Sequence, residues 1–236
     1  MQTNNRLRPK MGGIYLRKQE KISMSTASSP RTKIRRIPEN AAYDRETLYA
    51  IIDATYLCHI AFHDDNGTHC LPMACWRTGE YLYIHGSNGS RLMKQLAGGL
   101  EVSIAISHLD GLVLARSAFN HSMNYRSAVI YGQFQKIATE ADKSTAMDAF
   151  MDKIAIGRKN EARGGSQQEL GATIVLRIPL NEAAAKVRSG PPIDDEKDLH
   201  IQAWTGVLPI VAQHVTPIAE AGNDVAEPEY VLLWTK

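Results

Sequence analysis

From Ile37 onward, short apolar segments alternate with clusters of Gly, Asn, Asp and Ser, the pattern of a chain that folds mainly into strands. The first periodic segment is an exception. Tyr43 to Ile52 carries Leu48, Ile51 and Ile52 at helical spacing behind Asp44, a residue type whose short side chain caps a helix, so it predicts a first helix. Tyr56 to His63 and Thr68 to Arg77 then flank Asp64-Asp65-Asn66-Gly67, and Asn-Gly supplies the positive backbone angles of a tight hairpin. Thr78-Gly79 turns the chain into a third strand, Glu80 to His85.

Gly86-Ser87-Asn88-Gly89 leads to a short helix that begins after Ser90 and ends at Gly98-Gly99. Strands follow at Val102 to Leu109, Leu112 to Ser117 and Tyr125 to Ala138, with Asp110-Gly111 read as a second hairpin turn. Asp142 to Ile156 places Met147, Phe150, Met151 and Ile154 on one helical face, Gly157 to Gln168 reads as a polar loop, and Thr173 to Pro179 as another strand. The last stretch is irregular around an apolar run, Trp204 to Val211. The fold class is therefore mainly β with flanking helices. A barrel is the favoured arrangement, because closure hides the sheet edges that invite aggregation.

Composition changes this picture little and charge changes it more. Of 236 residues 44% are hydrophobic and 22% charged, ordinary values for a folded globular protein. The net charge of +2 is uneven: Met1 to Arg36 holds ten Lys and Arg against one acid, Glu20, and the remainder is acidic. Residues 1–36 thus read as a basic, disordered tail and residues 37–236 as the domain. Apart from Tyr15 the tail has no aromatic residues for bases to stack on, so it reads as solvated rather than as a nucleic-acid arm. No apolar run approaches the roughly 18 residues of a membrane span, and no secretory leader is visible, which makes the cytoplasm the expected location. Three cysteines, an odd number, cannot form a disulfide framework and suit a reducing compartment.

Two stretches carry chemistry. In the first, Gly86, Ser87, Gly89 and Ser90 let an anion approach backbone N–H groups, while Arg91 adds a guanidinium fork and Lys94 a second charge one turn on. A phosphate fits there; an ordinary capped helix with solvated basic residues is the alternative. In the second, His121-Ser122-Met123-Asn124-Tyr125-Arg126-Ser127 is unusually polar for the entry to a strand, so Arg126 and Ser127 suit a planar hydrogen-bonding ligand and His121 a proton transfer. A loop in which Asn124 satisfies its own backbone is the plainer reading. No Walker A or Gly-x-Gly-x-x-Gly sequence is present, no Gly-x-Ser-x-Gly elbow, and His59, His63, His69, Cys70 and Cys75 follow no zinc spacing.

Arg36-Ile37-Pro38-Glu39-Asn40-Ala41-Ala42-Tyr43-Asp44, Tyr83-Ile84-His85-Gly86-Ser87 with Ser90-Arg91, Leu109 to Ser117, His121 to Ser127, Lys186 to Pro192 and Trp204 to Pro209 occur in one order. These blocks resemble the flavin-nucleotide-binding, pyridoxamine 5'-phosphate oxidase-like family, of which nitroimidazole-resistance reductases are relatives. The resemblance implies an FMN-binding split β-barrel, a homodimer with FMN in two interface clefts, and a flavin-dependent oxidoreductase acting on a small molecule. It places the cofactor phosphate at Ser87, Ser90, Arg91 and Lys94, and the flavin ring along the strand Pro72, Met73, Ala74, Cys75, Trp76. Ile84 and His85 end the neighbouring strand; Arg126 and Ser127 reach the cofactor, and Lys186, Arg188 and Trp204 come from the partner. His85 and His121 are the candidate proton donors. The family's vitamin-B6 oxidase has closely spaced arginines after a C-terminal Trp, whereas no Arg follows Arg188 here, which argues against pyridoxamine phosphate oxidation. The alternative on the same fold is a non-catalytic flavin or haem carrier or sensor.

Overall fold

The computed structural model describes residues 26–235. Strand β1 (Ala41–Ala42) precedes α1 (Arg45–Asp53), whose N-terminus is capped as expected: the Asp44 carboxylate accepts the Thr47 N–H at 2.8 Å. Leu48, Ile51 and Ile52 are its buried face. The hairpin β2 (Leu57–Asp64) and β3 (Gly67–Ala74) is closed by Asp65 and Asn66, and the positive angle falls on Gly67 (φ +112°) rather than on Asn66. Thr68 to Arg77 is not one strand. The chain breaks at the buried Cys75 and enters a different sheet as β4 (Trp76–Thr78), which pairs with β5 (Tyr81–Ser87).

Helix α2 (Arg91–Ala97) is capped by Ser90 and leads into β6 (Glu101–Leu114), one continuous strand of 14 residues. Asp110-Gly111 is therefore a bulge, where the register with β7 (Ser122–Gln133) slips between Leu109 and Gly111, and not the expected hairpin turn. The glycine has a packing reason: a Cβ there would stand 3.0 Å from both the Leu208 carbonyl oxygen and Val207 Cγ1. Buried Phe134 separates β7 from β8 (Gln135–Lys136), so Tyr125 to Ala138 likewise serves two sheets. Helix α3 (Glu140–Ile154) starts two residues earlier than expected, because Thr139 caps it by accepting the Asp142 N–H. Its buried positions are Lys143 and Ala146, whereas Ile154 is exposed. The polar loop ends in α4 (Gln167–Gly171), and β9 (Thr173–Pro179), β10 (Ala183–Arg188), β11 (Gly206–Pro209) and α5 (Glu229–Leu232) complete the described chain.

The strands form two antiparallel sheets. The larger has the order β1-β10-β7-β6-β2-β3 with β11 on the far end of β6, and the smaller the order β4-β5-β9-β8. This is a split barrel: neither sheet closes on itself, and the two share a core that includes Cys58, Ile60, Leu82, Ile84, Ile104, Ile130, Leu176 and Ile178. Burying each large aliphatic side chain contributes about 1.5 to 3 kcal/mol. Helix α3 covers the outer side of the smaller sheet through Trp76, Tyr83, Val175 and Phe150. Among the described residues nothing covers Leu57, His59, Ala105 and Leu109, which are exposed on one outer face of the larger sheet. The end of the supposed tail belongs to the domain. Thr32 is buried, Arg31 pairs with Glu182 and Glu101, and the Tyr43 hydroxyl accepts the Ile34 N–H, so the domain begins several residues before Ile37; residues 1–25 lie outside the described residues. Among the described residues no helix is long and apolar enough to cross a membrane.

Candidate functional site

Among the described residues the cations of the loop from β5 into α2, Arg91 and Lys94, make no side-chain hydrogen bond. Ser87 Oγ accepts the Gly89 N–H and Ser90 Oγ the Met93 N–H, so both hydroxyl protons remain available to an anion. Asn88 fixes the loop to the smaller sheet's far side through the Ala172 and Gly171 carbonyls. Gly86 is required by packing, since a Cβ would stand 2.8 Å from Met93 Cγ; at Gly89 a Cβ would meet only Ser87 Oγ at 3.5 Å, an ordinary contact. The Arg91 side chain is 62% exposed, and its nearest carboxylate, Asp64, is 4.0 Å away. Asp64 is occupied elsewhere, accepting from Gln95 Nε2 at 2.7 Å, His69 Nε2 at 2.8 Å and the Asn66 N–H at 2.8 Å. These bonds hold its carboxyl well below the usual carboxylate range and tie the hairpin tip to α2, so Asp64 meets Arg91 only at the 4.0 Å limit of an ion pair and does not hydrogen-bond to its guanidinium. Sequence reasoning saw Asp64 only as a turn residue; its partners Gln95 and His69 are 31 and five residues away.

The other expected residues separate by face, as successive strand residues must. Pro72 and Ala74 point to the open face of the larger sheet with His59 and Ala105, while Met73 and Cys75 turn toward the core. There the neighbouring Cys75 and burial push the Cys58 thiol up, whereas the proximity of Cys58 and the nearby Lys153 charge lower Cys75. Ile84 is a core residue. Arg126 and Ser127 lie on opposite faces and so do not act as a pair: Arg126 grips Asp110 through Nε and Nη2 at 2.9 and 2.8 Å, and Ser127 Oγ meets the Lys186 carbonyl at 3.3 Å. Lys186 and Arg188 share the open face with Ser127, Lys186 Nζ donating to the Arg36 carbonyl and Arg188 to Asn124 Oδ1 and the Pro191 carbonyl. Trp204 is 65% exposed.

His85 lies under α3, against Trp76 and Phe150, with Nδ1 unpartnered as is Trp76 Nε1. Burial lowers its pKa, so at neutral pH the ring is uncharged. His121 is exposed, its Nδ1 2.8 Å from the Ser117 carbonyl. Asp64, near Arg91, lies three residues beyond Ala61, the partner of Ser103, whereas Ser127 lies opposite Ser107, four residues the other way. Seven strand residues at about 3.3 Å each separate the anion loop from the polar block by roughly 20 Å within one chain. A different region, unread in the sequence, holds a cleft of about 1120 Å³ between the end of α3 and the C-terminal segment.

The two-sheet split barrel, with the Ser-Arg-Lys loop at one end, is the architecture of the pyridoxamine 5'-phosphate oxidase-like class. The chain belongs to that family, described as pyridoxamine 5'-phosphate oxidase, whose profile matches residues 44–187. Among curated proteins none matches the sequence. Among solved structures, the flavocytochrome Anf3 of Azotobacter vinelandii is 38% identical, with a TM-score of 0.85 over 89% of this chain and 99% of that one. The FAD and haem binding protein of Mycobacterium smegmatis is 32% identical, with a TM-score of 0.79 over 83% and 97%. A putative 5-nitroimidazole antibiotic resistance protein of Bacteroides thetaiotaomicron, 21% identical with a TM-score of 0.53 over 62% and 86%, shares the fold.

Proposed function

We propose that this chain is a flavin-nucleotide-binding redox protein that holds its cofactor by the phosphate at Ser87, Ser90, Arg91 and Lys94, in clefts shared by two copies. The observation that carries it is the Arg91 guanidinium, exposed and without a carboxylate closer than 4.0 Å beside two hydroxyls with free protons. A guanidinium whose N–H donors make no hydrogen bond of their own is poised for an anion, and it matches phosphate by its planar fork. The bound flavin would supply the electron or hydride transfer, while the chain binds, orients and shields it. The open face of the larger sheet is the surface for the second copy. Its small and apolar residues, Ala105, Leu57 and Leu109, suit a packed interface, and an isologous contact would bring the partner's polar block to an anion loop that its own chain leaves roughly 20 Å away. Such a site acts on a small molecule reaching the flavin, as an oxidoreductase.

A second reading adds haem. Two relatives above 30% identity are a flavocytochrome and an FAD and haem binding protein, which favours a chain that carries both groups and makes FAD as well as FMN a candidate flavin. The absorbance spectrum of freshly purified protein tests both: flavin bands alone support the first reading, a Soret band in addition the second, and neither set of bands overturns the proposal. Chromatography of the released flavin separates FMN from FAD.

A further inference from the structure

We infer that the cleft between the end of α3 and the C-terminal segment is a haem site in which His214 is the iron ligand. The inference rests on the haem reading above and assigns it to residues. The cleft of about 1120 Å³ lies slightly above the roughly 300 to 1000 Å³ usual for cofactor and ligand sites. Its walls are largely apolar, built by Ile154, Ile156, Val231, Leu233, Trp234 and Tyr56. A flat, greasy macrocycle with carboxylate substituents needs three things from a protein: apolar walls, a nitrogen donor for the metal, and a cation for the carboxylates.

His214 provides the donor. Its Nδ1 lies 3.0 Å from the Trp234 carbonyl oxygen, which can only accept, so Nδ1 carries the proton and Nε2 is left with a bare lone pair. Metal-bound histidines are typically held in this way, the outer nitrogen donating to a carbonyl and fixing tautomer and ring plane. The ring is further fixed by stacking on Trp234, centroids 3.9 Å apart and planes 11° from parallel. Lys153 provides the cation. It lines the cleft, its Nζ donates to the Asp53 carbonyl and stands 4.7 Å from the Tyr56 ring centre, and among the described residues no carboxylate lies within 4 Å of it. Of the three acids that line the cleft, Asp152 and Glu161 are paired, with Lys159 and with Arg158 and Tyr230, and Glu229 has no ion pair among the described residues.

Three other histidines fit less well. His69 Nε2 is engaged by Asp64 and His108 Nε2 by the Ile51 carbonyl, and His85 is covered by α3. Only His121, among the described residues, repeats the Nδ1-to-carbonyl bond, and it does not line this cleft. It is the direct competitor.

The experiment is a haemin titration of the purified full-length protein, with the Soret and visible bands and the electron paramagnetic resonance signal read for the native chain, His214→Ala and His121→Ala. About one haemin per chain with an imidazole-ligated signature is expected for the native protein. His214→Ala should lose that signature and bind haemin at least tenfold more weakly, with added imidazole restoring the bands. Since His214 is exposed, the substitution should leave the fold intact, checked by circular dichroism on the same samples. Unchanged bands in His214→Ala, their loss in His121→Ala alone, or haemin that adsorbs to the native chain without an imidazole signature would each overturn the assignment. Flavin content measured in parallel keeps the two proposals apart: flavin retained with no haem ligation sinks this inference and leaves the flavin reading standing.

Discussion

Arg91 and Arg126 carry the same charge and differ in what surrounds it. Arg126 spends its fork on Asp110, whereas Arg91 has no partner within bonding distance, so only Arg91 is expected to carry cofactor affinity. Arg91→Ala should weaken flavin binding by about 1.5 to 3 kcal/mol, some ten- to a hundredfold in Kd, as the loss of a charge-assisted contact set implies. Fluorescence titration of the folded variant checks this, and an unchanged Kd would remove Arg91 from the site. His85 makes a pH prediction. Its folded pKa is lowered by burial, so as pH falls through the unfolded value of about 6.5 the unfolded chain takes up a proton that the folded chain resists, and stability declines. His85→Phe should therefore lose less melting temperature between pH 8 and pH 5.5 than the native protein; equal losses would show that His85 charges freely in the fold. The Ser87, Ser90, Arg91 cluster was legible in sequence because its residues lie within one five-residue stretch. The freedom of Arg91 was not, since it depends on Asp64 being taken by His69 and Gln95.

Elements were legible where one local signal decides them. Asp44 and Ser90 cap the helices they were expected to cap, and β9 runs over the residues its apolar pattern marks. Asp110-Gly111 misleads because the dipeptide that suits a hairpin also suits a bulge, and the choice is made by β11, almost 100 residues away, pressing on Gly111. Gly111→Val should lift β11 from β6 and destabilise the protein by about 1 to 3 kcal/mol, the usual cost of overpacking. Limited proteolysis should then cut first in the segment after Gly206; a variant as resistant as the native chain would show that β11 is not held there. The strap at residues 26–36 makes a second case. Arg31 holds Glu182 down to about 2, below its ordinary value of about 4.5, so the pair's contribution is present above pH 4.5 and is lost as pH falls toward 2. Arg31→Ala should lower the melting temperature at pH 7 and make progressively less difference as pH drops through that window. An equal deficit at pH 7 and pH 3 would mean that packing, not the ion pair, holds the strap.

At the scale of the whole molecule, the proposed pairing of two copies would account for two features of one chain. The larger sheet leaves Leu57, His59, Ala105 and Leu109 on an uncovered face, and the anion loop and the Ser127, Lys186, Arg188 block lie roughly 20 Å apart at the spacing of strand residues. Apolar sheet faces of this kind mark interaction surfaces, and a two-fold axis through this one would apply each surface residue twice. Cofactor binding and association should then be linked, each strengthening the other by mass action. Leu109→Glu places a charge at the face without touching the core, since Leu109 is 44% exposed in the single chain. Sedimentation should show the native protein as a dimer and Leu109→Glu as a folded monomer. The monomer should bind flavin more weakly than the dimer, even though Ser87, Ser90, Arg91 and Lys94 are untouched. A Leu109→Glu monomer that binds flavin as tightly as the native dimer would show that the site is complete within one chain, and would leave the open face without a part in holding the cofactor.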